Sequence, residues 1–330
     1  MTAKMKRREF ITLLGGAAVS STTAQPLIAQ EAGRTYRLGG LYLTQRASPQ
    51  YVPLFDELQR LGFVEGQNLL VDGHGYGLRP DQLAEHASEV VKAQVDVILC
   101  AGDAAIRAAQ QVTKTIPILA VTDDMVGSGL VLSLAKPDGN TTGVSLLASD
   151  LDGKRQELLM EAVPGVRRIA ALADANTTSP QRLQMLQDAA RARGVELSIH
   201  RVTMPEEIVA AIDTAKSSGA AALNVLATPL LSAHRQIILQ RVAALRLPAM
   251  YQWPETAEEG GFIGYGPRLI QIYRQIVARQ LVKLLRGAKP ADIPVEQPTS
   301  FELVINLRAA KAIGHEVPAG LVLRADKVIE

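Results

Sequence analysis

A chain of 330 residues with 47% hydrophobic content exceeds what one core comfortably holds, so two lobes are expected. The formal charge of +2 owes much to the first ten residues, and the remaining charges are interspersed in sign, which argues against a nucleic-acid partner. Cys100 is the only cysteine, so neither an internal disulfide nor a thiolate metal cluster is available.

At the N-terminus, Lys6-Arg7-Arg8-Glu9-Phe10-Ile11-Thr12 sets two adjacent arginines ahead of an apolar run, Ile11 to Val19, the pattern of a twin-arginine export leader. That run is shorter than the roughly 20 residues a membrane span needs, and Gly15-Gly16 weakens any helix there. Leu27-Ile28-Ala29 offers a cut after Ala29, with Ala24 as an alternative. Losing residues 1–29 removes Lys4, Lys6, Arg7 and Arg8 against Glu9 and takes the formal charge to −1. No lipidation cysteine lies near the cut, so a periplasmic protein free of a lipid anchor is expected. Aromatics are only 4%, so each Tyr or Trp outside the core is a candidate ligand contact.

Short apolar runs then alternate with amphipathic stretches. A strand is predicted at Arg37 to Leu43 and a helix through Phe55, Leu58 and Leu61, stopped by Gly62. Helix Leu83 to Val91, strand Val95 to Leu99, helix Ala104 to Val112 and strand Ile116 to Val121 repeat the rhythm. After a turn at Pro137-Asp138-Gly139-Asn140, Thr141 to Leu147 extends and a charged helix begins at Gly153, where the chain is expected to cross between lobes. A second series follows: strand Arg168 to Ala173, a helix capped by Ser179-Pro180, strand Val195 to Val202, helix Glu206 to Ser217, strand Ala221 to Ala227, helix Ser232 to Leu245 and strand Pro248 to Tyr251. Gly260 to Pro267 reads as a pause at a return crossing, before a long helix Leu269 to Leu285 and a strand Phe301 to Ile305. Continuous apolar strands separated by helices imply parallel sheets covered on both faces. The expected architecture is α/β: two doubly wound parallel-sheet lobes joined by a multi-strand hinge. Residues 36–145 plus about 267–295 would form lobe 1, and 146–266 plus about 296–330 lobe 2.

Ligands bind such sheets beyond the carboxyl ends of the strands. Those ends read Thr44-Gln45, Gly102-Asp103, Thr122-Asp123-Asp124, Asp174 with Asn176-Thr177-Thr178, Thr228, and Tyr251-Gln252. Hydroxyls suit a carboxylate, an Asp suits an ammonium and a Tyr covers an apolar body, so a small zwitterionic or polyhydroxylated solute fits. Helix capping alone would place the same residue types there. Catalytic patterns are weak. Gly73-His74-Gly75-Tyr76-Gly77 lacks the Lys-Ser/Thr ending of a phosphate loop and reads as a surface loop. Gly127-Ser128-Gly129 lacks nucleophile-elbow spacing and is expected inside a helix, with Ser128 packing. The histidines include no pair at metal-binding spacing, and no cofactor is called for.

Lys136-Pro137-Asp138-Gly139-Asn140-Thr141-Thr142-Gly143-Val144-Ser145 resembles a family of ABC-importer substrate-binding proteins that includes tryptophan/tyrosine-type members. The Arg7-Arg8-Glu9-Phe10 leader, residues Gly62 to Leu69, Gly264-Tyr265-Gly266-Pro267 and Asn306 to Gly314 extend the resemblance over essentially the whole chain. It implies the type I periplasmic-binding-protein-like fold, and a pocket drawn from Asp103-Ala104-Ala105, Thr122-Asp123, Ser145, Asn176-Thr177 and Thr228. Two acids depart from the family's usual pattern: Asp103, near a usual Thr, and Asp124, where Pro is usual. An extra acid favours a cationic or amine-bearing ligand. The expected ligand-binding set is therefore Thr44, Gln45, Asp103, Ala104, Thr122, Asp123, Ser145, Asn176, Thr177, Thr228, Tyr251 and Tyr265. The expected protein is a non-enzymatic monomer that binds a small molecule and partners an ABC permease and its ATPase. An α/β enzyme using the Asp123-Asp124 pair is the alternative.

Overall fold

Two sheets divide the strands. The computed structural model describes residues 33–330, so the expected leader and its twin arginines lie outside the described residues. In chain order the first sheet's elements are β1 (Tyr36–Leu41), α1 (Tyr51–Arg60), β2 (Leu69–Val71), α2 (Leu83–Lys92), β3 (Val97–Ala101), α3 (Asp103–Val112), β4 (Ile118–Thr122) and β5 (Thr141–Ser145). They form an all-parallel sheet of order β2-β1-β3-β4-β5. Then come α4 (Asp152–Ala162), β6 (Arg168–Asp174), α5 (Pro180–Arg191), β7 (Glu196–Val202), α6 (Ile208–Ser217), β8 (Leu223–Val225), α7 (Pro229–Ala233), α8 (Arg235–Ala244), β9 (Ala249–Tyr251), α9 (Pro254–Glu258) and β10 (Ile263–Gly266). A helical stretch follows as α10 (Leu269–Gln271), a π-helical segment Ile272–Val277 and α11 (Ala278–Leu285). The chain ends with β11 (Glu302–Asn306), α12 (Leu307–Ala312), α13 (Ala319–Val322) and β12 (Lys327–Ile329). The second sheet runs β12-β11-β10-β9-β8-β6-β7, parallel except where β10 meets β11.

Each sheet is buried on both faces, the condition under which apolar strands run without polar alternation. Leu38, Leu99 and Val121 of the first sheet pack with Leu54 and Leu58 of α1 and with Ile272 to Leu285, while Ile98, Cys100 and Ala120 face α2 and α3. In the second sheet Ile169, Ala171 and Met250 meet α4, α5 and α12, and Ala170, Leu223 and Val225 meet α6 and α8. The chain leaves the first sheet after β5, packs back against it with α10 and α11, and bridges β5 once more at Glu296 before entering β11.

Several expectations need correction. Gly260 to Gly266 contains strand β10 rather than only a pause, because Gly264 and Gly266 let it lie against the Trp253 and Gln252 backbone, where a Cβ would collide. Gly127-Ser128-Gly129 is a run of turns, Gly129 having φ +65°. Gly73 and His74 are exposed, as in a surface loop, while Gly75 is buried against the Gly40 carbonyl. Strands β2 and β12 are three residues each, too short for periodicity to reveal.

Candidate functional site

A cavity of about 120 Å³ opens where the carboxyl ends of the two sheets face each other. From the first sheet it takes Thr44 after β1, Tyr51 at the start of α1, Gly102 before α3, and Thr122-Asp123 at the end of β4. From the second it takes Ala227, Thr228, Pro229 and Ser232 around α7, and Gln252-Trp253 after β9. Leu146 and Ala148 line it from the chain that crosses after β5, and Leu269 and Tyr273 from the chain that returns. Gly102, with φ +89°, turns β3 directly into α3, a conformation that strains any side chain bearing a Cβ. A larger open groove beside α12 and α13, lined by Leu307, Lys311, His315 and Leu323, lies away from the strand ends.

The walls are apolar and aromatic with a few placed polar atoms, the composition of a small-molecule site. Tyr51 shares a 2.7 Å hydrogen bond with the Thr44 hydroxyl and stands edge-on to Tyr42, Tyr76 and Tyr273. Burial raises the hydroxyl pKa of Tyr51 and Tyr273 well above the usual value, so both stay protonated donors. Trp253, the only tryptophan, donates its Nε1–H to Ser232 Oγ at 3.1 Å, and Thr228 caps α7 by accepting the Leu231 N–H at 3.2 Å. Among the described residues, Asp123 is the only carboxylate, lysine, arginine or histidine side chain on the wall. Its two oxygens accept the Ser149 N–H at 2.9 and 3.1 Å, and burial, the largest influence, pushes its pKa above the ordinary 3.8. Beside it the Thr122 hydroxyl donates to Asp103 in the first turn of α3.

Beneath the cavity Arg155 of α4 is fully buried. Its Nε donates to the Tyr265 carbonyl at 2.6 Å, Nη1 to the Ala148 carbonyl at 2.6 Å and to Asp152 at 2.9 Å, and Nη2 to the Gln252 carbonyl at 3.1 Å. Asp152 also accepts from Arg182 and from the Ala227 N–H at 3.3 Å. One guanidinium thus ties the crossing chain to the ends of β9 and β10.

Of the residues expected from sequence, Thr44, Thr122, Asp123 and Thr228 line the cavity. Asp103 stands behind Thr122, and Ala104 and Gln45 are exposed, the Gln45 amide lying against Gly77. Ser145 is buried and donates to the Asp123 carbonyl at 3.0 Å, so it shapes the Asp123 turn. Asn176 and Thr177 are exposed and close a turn on Asp174. Tyr251 sits in the second sheet's core, and Tyr265 is held by its carbonyl rather than facing the cavity. Asp124 is exposed and caps the Gly127 N–H at 2.8 Å, so the Asp123-Asp124 pair does not converge. Tyr51, Trp253 and Tyr273 were missed, marked only by their aromaticity in a chain so poor in it, and Ser232 was missed with no signal to mark it. Among the described residues no trio of His, Cys, Asp or Glu is placed to hold a metal, and no helix is long and apolar enough to cross a membrane.

Comparison with known proteins agrees with this fold. A structure from Vibrio cholerae, a conserved domain protein, superposes with a TM-score of 0.79 at 23% identity, covering 89% of this chain and all of that one. The ABC domain from Streptococcus pneumoniae, solved with L-Trp, does so with a TM-score of 0.74 at 23% identity over 88% of this chain and all of its own. The fold is therefore that of type I periplasmic-binding-protein-like structures. A tyrosine-binding protein of Clostridioides difficile is 26% identical over 262 residues, 78% of this chain and 74% of its own. Residues 50–329 match the family described as ABC transporter substrate binding protein, and the chain belongs to that family.

Proposed function

We propose that the protein is the periplasmic solute-binding component of an ABC importer, exported by the twin-arginine route and acting without catalysis. It binds an amino acid or related amine-bearing solute in the cavity between the two sheets and presents it to a membrane permease and its ATPase. The observation that carries this reading is the Asp123 carboxylate, part-buried in a mostly apolar wall and hydrogen-bonded only by Ser149, through its N–H and its side chain, where a ligand ammonium supplies the facing charge. The tyrosine-binding relative and the L-Trp complex support an amino-acid-sized ligand. Three passages of chain between the sheets would serve as the hinge, so that ligand held by both sides favours a closed form.

Thermal unfolding of the purified mature protein against amino acids, amines, nucleosides and sugars tests the reading. Ligand at 100 times its dissociation constant adds about 2.7 kcal/mol, roughly 2–4 °C of melting temperature per kcal/mol in domains of 150–250 residues. Stabilisation by a sugar or nucleoside alone would refute the amine assignment.

A further inference from the structure

Resting on the proposed reading of this cavity, we infer that its preferred ligand is an arylalkylamine without a carboxylate, a monocation rather than a zwitterionic amino acid. A zwitterion needs two opposite partners, and the cavity has one. Among the described residues its wall carries the Asp123 carboxylate but no Lys, Arg or His. The natural seat for a ligand carboxylate is the start of α3, where the first N–H groups of a ten-residue helix point out beside Gly102. That seat already holds a negative charge of its own, Asp103. The Thr122 hydroxyl, which would otherwise donate to a ligand, gives its proton to the same Asp103.

The other helix start on the wall offers less: α7 begins with Pro229, which has no N–H, and Thr228 takes the Leu231 N–H. Trp253 is committed to Ser232, and Tyr51 and Thr44 to each other. Arg182 is a cation whose field reaches Asp123, but it is not on the wall, and its Nη2 is bonded to Asp152 and the Ala227 carbonyl. A bound amino acid would thus lay its carboxylate near two acids, with only neutral side chains such as Gln50, Ser232 and Gln252 to meet it. A primary amine on an aromatic body leaves nothing unpaired, its ammonium on Asp123 and its ring among Tyr51, Trp253 and Tyr273.

The test is calorimetric titration of the mature protein with tyramine, phenethylamine and tryptamine alongside tyrosine, phenylalanine and tryptophan. The expected result is amine binding at least tenfold tighter than that of the matching amino acid, with Asp103→Asn narrowing the ratio by raising amino-acid affinity. Asn still accepts from Thr122, so that variant keeps the local fold. Tighter binding of the amino acids overturns the inference and leaves the amine-binding reading of the cavity standing. Failure of all six, with no heat and no change in the fluorescence of Trp253, overturns both.

Discussion

Replacing Arg155 with Leu is expected to be among the most destabilising single changes in the chain. The side chain is completely buried and makes four hydrogen bonds, three to backbone carbonyls and one to Asp152. Burial pulls its pKa down and Asp152 pulls it back up, so the charge persists because its partner is in place. Leucine removes the cation and leaves Asp152, itself buried, with Arg182 and the Ala227 N–H. Breaking a buried pair by deleting one partner costs about 3–5 kcal/mol, and each orphaned carbonyl adds to that cost in principle, although such terms do not sum. At roughly 2 °C per kcal/mol for a chain this long, the midpoint should fall by about 6–10 °C. Arg155→Lys keeps the charge without the planar fork and should fall between. Urea unfolding followed by circular dichroism measures the difference, and a loss below about 1 kcal/mol would refute the view that this guanidinium holds the crossing chain to β9 and β10.

Asp123→Asn should weaken binding of an amine ligand tenfold or more while leaving the fold at least as stable, since Asn can still accept from Ser149. The folded Asp123 binds its proton more tightly than the unfolded chain does, so its contribution favours folding below about 3.8 and fades as pH rises through the raised value; the variant's advantage should therefore appear on going from acid to neutral pH in melting scans. Gly102→Ala forces a Cβ into φ +89° and should cost about 1–3 kcal/mol in urea titration. Arg7→Lys with Arg8→Lys should retain the precursor in the cytoplasm by fractionation, and normal export would remove the twin-arginine proposal.

The alternation of apolar runs with helices was legible because parallel strands buried on both faces must be continuously apolar, as β3 and β6 are. Thr122 and Asp123 were legible because they end such a run. Ser145 and Tyr251 have residue types suited to a site, but a strand's two faces look alike when both are buried, so sequence could not tell wall from core. Tyr51 and Tyr273 were hidden because they approach the cavity from helices some 220 residues apart, a meeting that depends on the return of α10 to the first sheet. Arg155 sits in a helix of charged residues and looks solvated until four acceptors converge on it.

The antiparallel junction of β10 with β11 bears on how the chain is made. The first sheet's core waits for α10 and α11, which are synthesised only after β10 of the other sheet, and β10, paired with β9, keeps one edge open until β11 emerges. Neither half is completed from a continuous stretch of nascent chain: the first waits for α10 and α11, and the second for β11. A chain truncated before Glu302 would expose β10 as an open sheet edge, inviting association with other incomplete copies instead of slow unfolding.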